Sequence, residues 1–400
     1  MSSNKRKPEI LEIIDIIKKS FNMRYNVVKE TSEYSEKGEG IFKEVTEIFI
    51  NSLVINLKCA GLRCSYSLVD QIFNSDMLKQ YNPFEQYFKS LPKWDDTKDS
   101  EIEKLSNTVK TTNQDFFKLC LERWLLGLVS CALNEKDINH QMIVYSGKQG
   151  LGKSTWIRSL VPDQLIDYYY SGSINTSNKD TSIFLSQCFL INLDELTNLN
   201  KKETGSLKEI ITKESINVRR AYAKKTKRLS RRASFIGSIN DSEFLYDLTG
   251  SRRFLCFEVT DIDFNHNVNM DLVYSEALHL LEKGHISYFT KDEIPIIEKN
   301  NESFRIKTET EIRILDHLEV EQKNEEYYLY KLRPKDIYVQ LNYGDRPYTR
   351  DLIQIGKIMT KYGFKSCMIN GYKHYHVYIR SKHLIGDNTS IIESPNDVPF

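Results

Sequence analysis

The stretch Met142–Leu160, MIVYSGKQGLGKSTWIRSL, constrains this chain more than any other. An apolar run, Met142 to Tyr145, predicts a buried strand. Gly147-x-x-x-x-Gly152-Lys153-Ser154 follows, with Gly150 inside the spacer, and Thr155 to Leu160 opens an amphipathic helix. Strand, glycine-rich turn and helix in that order let backbone N–H groups ring a polyphosphate at a helix N-terminus. Gly147, Gly150, Gly152, Lys153, Ser154 and Thr155 then form the cradle. Lys153 reaches the β- and γ-phosphates, and the Ser154 hydroxyl ligates magnesium. A chance glycine-rich turn would lack the flanking strand and helix.

A chain of 400 residues points to two or three domains, and 40% hydrophobic content is enough to fill their cores. The net charge is +1, so a nucleic-acid surface has to be a local patch. Seven scattered cysteines, with no second pair beside Cys59 and Cys64, read as reduced thiols rather than a zinc site. No secretory core and no membrane-length apolar run is present, so a cytoplasmic protein is expected.

Three domains and a tail are expected in order. Residues 1–100 form an α-rich N-terminal domain. Within it, Tyr81 to Asp95 contains a short helix bracketed by Pro83 and Pro92, read as a structural staple. Residues 101–305 form an α/β nucleotide domain, residues 306–385 a small C-terminal domain, and residues 386–400 a mobile tail.

Further motifs lie inside 101–305. Phe189–Glu195 is an apolar run ending in two acids, about 40 residues after Lys153. It predicts a parallel strand with Asp194 placed to hold magnesium through water and Glu195 to polarise an attacking water as general base. Between Val218 and Arg232 lie eight cations and no acids. Such a run is either a solvated loop or a grip on nucleic acid. Tyr222, Lys224, Lys225, Lys227, Arg228, Arg231 and Arg232 suit the second, with phosphates neutralised and a base stacked. Ala233 to Ile239 predicts another buried strand, ending at Asn240, either an ordinary turn residue or a polar sensor of the γ-phosphate. Arg252 and Arg253 enter a further strand; they make a surface ion pair or reach a neighbouring subunit's γ-phosphate.

The C-terminal pattern is helix, helix, helix, hairpin, with Asn370-Gly371 as the hairpin turn. That is the order of a winged helix, which docks on DNA or on protein. His374 and His376 lack further ligands, so no metal is expected there.

Taken together, residues 20–260 resemble the virulence-associated protein E family of P-loop ATPases, related to superfamily III helicases within the AAA+ group. The resemblance rests on Asn82-Pro83 through Leu91-Pro92-Lys93-Trp94-Asp95, Gly147 to Ser154, Asp194-Glu195, the basic stretch after Lys208, Asn240, and Gly250-Ser251-Arg252-Arg253-Phe254. The C-terminal part resembles the winged-helix extension of Bacteroidetes-type members. The fold it implies is an AAA+ P-loop core with an α-rich N-terminal domain and a C-terminal winged helix.

The same resemblance implies that Lys153 and Ser154 bind ATP and Mg2+, that Asp194 and Glu195 are the acidic pair, and that Asn240 is the sensor. Arg252 or Arg253 is the trans-acting finger, and Lys224 to Arg232 include a pore hairpin on single-stranded DNA. It further implies a homo-oligomeric ring, usually a hexamer, that hydrolyses ATP between subunits and moves along DNA of a mobile element or phage. Asp96 stands where the family usually has glycine. The chain before Phe21 is too short for the primase domain that members often carry, so a stand-alone helicase module is expected, with priming on a separate protein. Two other readings stay open: an ATP-gated initiator or switch that binds without unwinding, and a small-molecule kinase sharing the phosphate loop.

Overall fold

Phe21, Met23 and Tyr25 alternate with Asn22, Arg24 and Asn26, the two-residue period of a strand. Here the N-terminal region adds a sheet to its expected helices. The computed structural model describes residues 9–174, 179–194, 196, 201–218, 227–240, 243–246, 250–324, 326–341, 343–344 and 346–380. The chain divides into two compact units, Met1–Arg305 and Ile306–Phe400.

In the first unit, α1 (Glu9–Ser20) leads into β1 (Phe21–Asn26), β2 (Thr31–Glu36) and β3 (Lys43–Glu44). Next come α2 (Glu47–Cys59), α3 (Tyr66–Phe73) and β4 (Lys79–Tyr81). Their sheet runs β3-β2-β1-β4, with β1 antiparallel to β2 and parallel to β4. Phe21, Met23 and Tyr25 pack on a core that includes Ile13, Ile17, Leu57, Ile72 and Phe73. The region over 1–100 is therefore mixed α and β.

The chain continues through α4 (Pro83–Ser90), α5 (Glu101–Asn107), β5 (Val109–Thr111), α6 (Gln114–Leu133), β6 (Met142–Ser146) and α7 (Lys153–Ser159). It then passes through β7 (Tyr169–Ser171), α8 (Lys179–Gln187), β8 (Leu190–Leu193) and α9 (Lys201–Ile211). A hairpin of β9 (Ser215–Val218) and β10 (Lys227–Ser230) precedes β11 (Ser234–Ile239), β12 (Phe254–Ile262), α10 (Met270–Glu282) and α11 (Ile294–Asn301). One sheet runs β5-β12-β6-β11-β8-β7, parallel throughout except for the edge strand β5.

Its central strands are apolar on both faces, as a parallel sheet under helices requires. Ile143, Tyr145, Leu255 and Phe257 face one core, shared with Trp124 of α6 and Trp156 of α7. Met142, Val144, Phe254 and Cys256 face the other, shared with Leu207 and Ile210 of α9. The Tyr81–Asp95 stretch acts as a staple onto α10. Asn82 caps α4 by accepting from the Phe84 and Glu85 N–H groups. Tyr87 donates to Asp271 at 2.7 Å, and Ser275 to the Pro92 carbonyl at 2.6 Å. Asp96 accepts from Lys283 at 2.6 Å and lies 2.9 Å from His279.

The second unit holds α12 (Glu309–His317), β13 (Tyr327–Leu332), α13 (Pro334–Gln340), α14 (Thr349–Lys361), β14 (Ser366–Ile369) and β15 (Tyr372–Arg380). Its antiparallel sheet runs β13-β15-β14. β13 adds a strand to the helix–helix–helix–hairpin order. Asn370 and Gly371 make the hairpin turn, at φ 48° and 79°. Ile314, Ile337, Ile355, Met359 and Val377 share one core. The tail expected from 386 lies outside the described residues. Among the described residues no helix is long and apolar enough to cross a membrane.

Candidate functional site

Parallel strands aim their C-terminal ends at one edge of a sheet, and ligands of open α/β sheets sit at that edge. The loop after β6 lies there, together with the ends of β7, β8 and β11. Close approach explains two of its glycines. A Cβ on Gly147 would meet the Val259 carbonyl oxygen at 2.7 Å. Gly152 has φ +82°, and a Cβ there would meet the ring of Phe264 at 2.3 Å. Gly150 faces open space, while Ser154 and Thr155 are exposed on the first turn of α7.

Lys153 is only 6% exposed. Its ammonium donates to the carbonyls of Gly147 and Lys148 and, at 3.2 Å, to Asn240 Oδ1. Burial pulls its pKa below the ordinary lysine value, and the charge of Asp194 opposes that shift.

Asp194 follows β8 directly and is half-buried. One of its oxygens accepts from Ser154 Oγ and Ser238 Oγ, each at 2.9 Å. The other accepts from Ser171 Oγ at 3.2 Å, and Asn192 Nδ2 donates to that same hydroxyl at 3.1 Å. Three hydroxyls from α7, β7 and β11 thus hold one carboxylate. A hydroxyl and a carboxylate this close are hard oxygen donors, a set that fits Mg2+.

Lys153, Ser154, Asp194 and Asn240 therefore meet. Glu195 lies outside the described residues. Ser171, Ser238 and Phe264 are new to the site. Ser238 had a sequence signal, a polar residue inside an apolar strand, whereas Ser171 and Phe264 had none.

Arg252 and Arg253 sit on a short 3-10 turn before β12. Arg252 is exposed. Arg253 folds back, its Nη1 3.4 Å from the Gly250 carbonyl oxygen, and its Nε is buried without a partner among the described residues. Among the described residues, neither arginine is bonded to Lys153, Ser154, Asp194 or Asn240.

The basic stretch divides. Tyr222, Lys224 and Lys225 lie outside the described residues. Lys227 and Arg228 are exposed on β10, where Lys227 pairs with Glu30 and Arg228 donates to Ser215 Oγ at 2.9 Å. Arg231 and Arg232 leave the DNA-contacting set, because both side chains are turned into the protein. Arg231 is 0% exposed and donates to the carbonyls of Ala233 at 2.9 Å, Asn139 at 3.0 Å and Ile211 at the end of α9. A guanidinium satisfies C-terminal helix carbonyls and complements the helix dipole there. Arg232 donates to the Ala132 carbonyl at 3.1 Å and pairs with Glu135 at 3.0 Å.

The fold and site describe a mixed α/β protein with a glycine-rich cradle at the carboxyl edge of a parallel sheet. The model of the virulence-associated protein E-like domain matches residues 88–306, and the chain belongs to that family. Among solved structures it is similar to an apo structure of the NrS-1 C-terminal region. The identity is 13% and the TM-score 0.51, over 94% of this chain and 100% of that one. A second apo form of the same region gives 13%, 0.50, 93% and 100%. At that identity the likeness is one of fold. No curated protein matches.

Proposed function

We propose that this protein is an ATP-dependent DNA helicase or translocase of a mobile genetic element or phage, acting in replication as an oligomeric, hexameric ring on single-stranded DNA. One observation carries this reading: Lys153 and Asn240, 87 residues apart, meet by hydrogen bond beside a Ser154–Asp194 pair. A lysine, a hydroxyl, a carboxylate and a carboxamide around a glycine-rich helix N-terminus are the parts phosphoryl transfer needs. Residues 101–305 are then a P-loop core of the AAA+ superfamily III type.

In this reading the loop N–H groups and Lys153 bind the phosphates of ATP. Asn240 orients the water near the γ-phosphate, and Glu195 accepts its proton. Mg2+ held by Ser154 and Asp194 would neutralise charge on the phosphate oxygens. Arg252 or Arg253 reaches the nucleotide of the neighbouring subunit. Lys227 and Arg228, with Tyr222, Lys224 and Lys225, contact single-stranded DNA.

We read the second unit as a winged helix. Its α14 carries exposed Arg350, Gln354 and Lys357 on one face, residue types suited to phosphates and base edges.

ATP hydrolysis by the intact protein and by Lys153→Ala, with and without single-stranded DNA, tests the proposal. DNA-stimulated hydrolysis lost in the variant is expected; hydrolysis that survives in it contradicts the site. The inward turn of Arg231 and Arg232 favours a second reading, an ATP-gated switch that grips DNA less and unwinds nothing. Strand displacement separates the two.

A further inference from the structure

The turn that carries Arg252 and Arg253 is held by a residue outside every sequence motif. Asn301 is the last residue of α11 and is 0% exposed. Its Nδ2 donates to the Ser251 carbonyl at 3.0 Å and to the Phe254 carbonyl at 2.8 Å. One carboxamide thus bridges the first residue of the 3-10 turn Ser251–Arg253 and the first residue of β12. Two bonds from one planar group fix the spacing of those carbonyls, and with it the direction in which the side chains between them leave the core.

Those two side chains leave differently. Gly250 has φ +70°, and a Cβ on it would meet Arg253 Nη1 at 2.4 Å. The missing side chain is the space into which Arg253 folds, while Arg252 projects outward. Next to Asn301 on α11, Asn300 donates to the Cys256 carbonyl at 2.7 Å, beyond the turn.

We infer that Arg252, and not Arg253, is the side chain offered to a neighbouring subunit's nucleotide, and that Asn301 is the positioning residue that aims it. This rests on the proposed ring ATPase. Arg253 is then part of the turn's packing, and Asn301 acts only through the turn.

Mixed assemblies test it. Lys153→Ala subunits keep the arginine turn and lose the loop; Arg252→Ala subunits do the reverse. Arg252→Ala is expected to lower kcat by about 10³-fold, to leave the affinity for a fluorescent ATP analogue unchanged, and to regain hydrolysis on mixing with Lys153→Ala. Asn301→Ala is expected to lower kcat by about 10²-fold, the effect of a misplaced group. It should keep the same analogue affinity and be rescued by the same partner. Asn301→Ser, which keeps one donor, should fall between it and the intact protein.

Arg253→Ala should lose less kcat than Arg252→Ala. Asn300→Ala should lower thermal stability without the mixing phenotype. If Arg252→Ala is rescued and Asn301→Ala is not, Asn301 is only a structural residue and the inference falls. A larger, rescuable loss in Arg253→Ala overturns the choice of arginine. If no pair of variants is rescued, the trans-acting arginine itself is wrong, and the ring reading falls with the inference.

Discussion

Lys153 and Arg231 are both cations taken almost wholly out of water, and both are wrapped in backbone carbonyls. Their surroundings differ. Arg231 follows β10 directly, beside the equally buried Cys131 and Ala233, with backbone carbonyls of Asn139, Ile211 and Ala233 as its acceptors. Lys153 borrows two carbonyls of its own loop and the side chain of Asn240, while Lys148, Gly150, Ser154 and Asn240 around it are exposed. An arriving anion can take the ammonium from those partners; nothing can reach the guanidinium. Burial alone therefore does not mark a working cation. What marks it is burial beside an opening, with partners that can be exchanged.

The sharpest way to break this contrast is Arg231→Met. Three carbonyls lose their donor, each worth about 1–3 kcal/mol when left buried and unpaired. Thermal or urea unfolding should show a loss of about 3 kcal/mol or more. A variant as stable as the parent would mean the side chain is not held as described. Lys153→Ala should do the opposite. Its melting temperature should stay close to the parent's, while ATP turnover falls about 100-fold or more, the scale for removing one preorganised donor.

How far these residues were legible in the sequence follows the same division. The strand–loop–helix around Lys153, the acid after β8 and Asn240 after β11 could be read because chain order and local period fix them. Arg231 and Arg232 were misassigned because a run of charges gives composition without direction; carbonyls from Asn139, Ile211 and Ala132 decide that they turn inward. The β1–β2 hairpin was missed because Thr31–Glu36 holds one apolar residue, Tyr34, in six positions. Ser171 and Asn301 were invisible for another reason. Each is a single polar residue whose partner is brought to it only by tertiary folding.

Smaller effects sharpen the comparison further. Ser171→Ala removes one of three hydroxyls on Asp194 and should lower turnover about tenfold, well below the Lys153 effect. A change confined to stability would make Ser171 a packing residue. Lys227→Ala with Arg228→Ala should leave basal hydrolysis unchanged and reduce the salt dependence of single-strand binding by a slope of about 1.4. The double change of Arg231 and Arg232 should act on folding instead. Equal effects on DNA binding from both pairs would erase the distinction between the exposed and buried halves of the basic stretch.

The most direct test of the central claim is ATP hydrolysis by the purified protein, with and without single-stranded DNA, over a protein dilution series. Strong stimulation by DNA that collapses on dilution is the expected result, since the loop of one subunit would then need the arginine turn of the next. Hydrolysis indifferent to both DNA and concentration would contradict a ring motor and leave the ATP-gated switch as the better account.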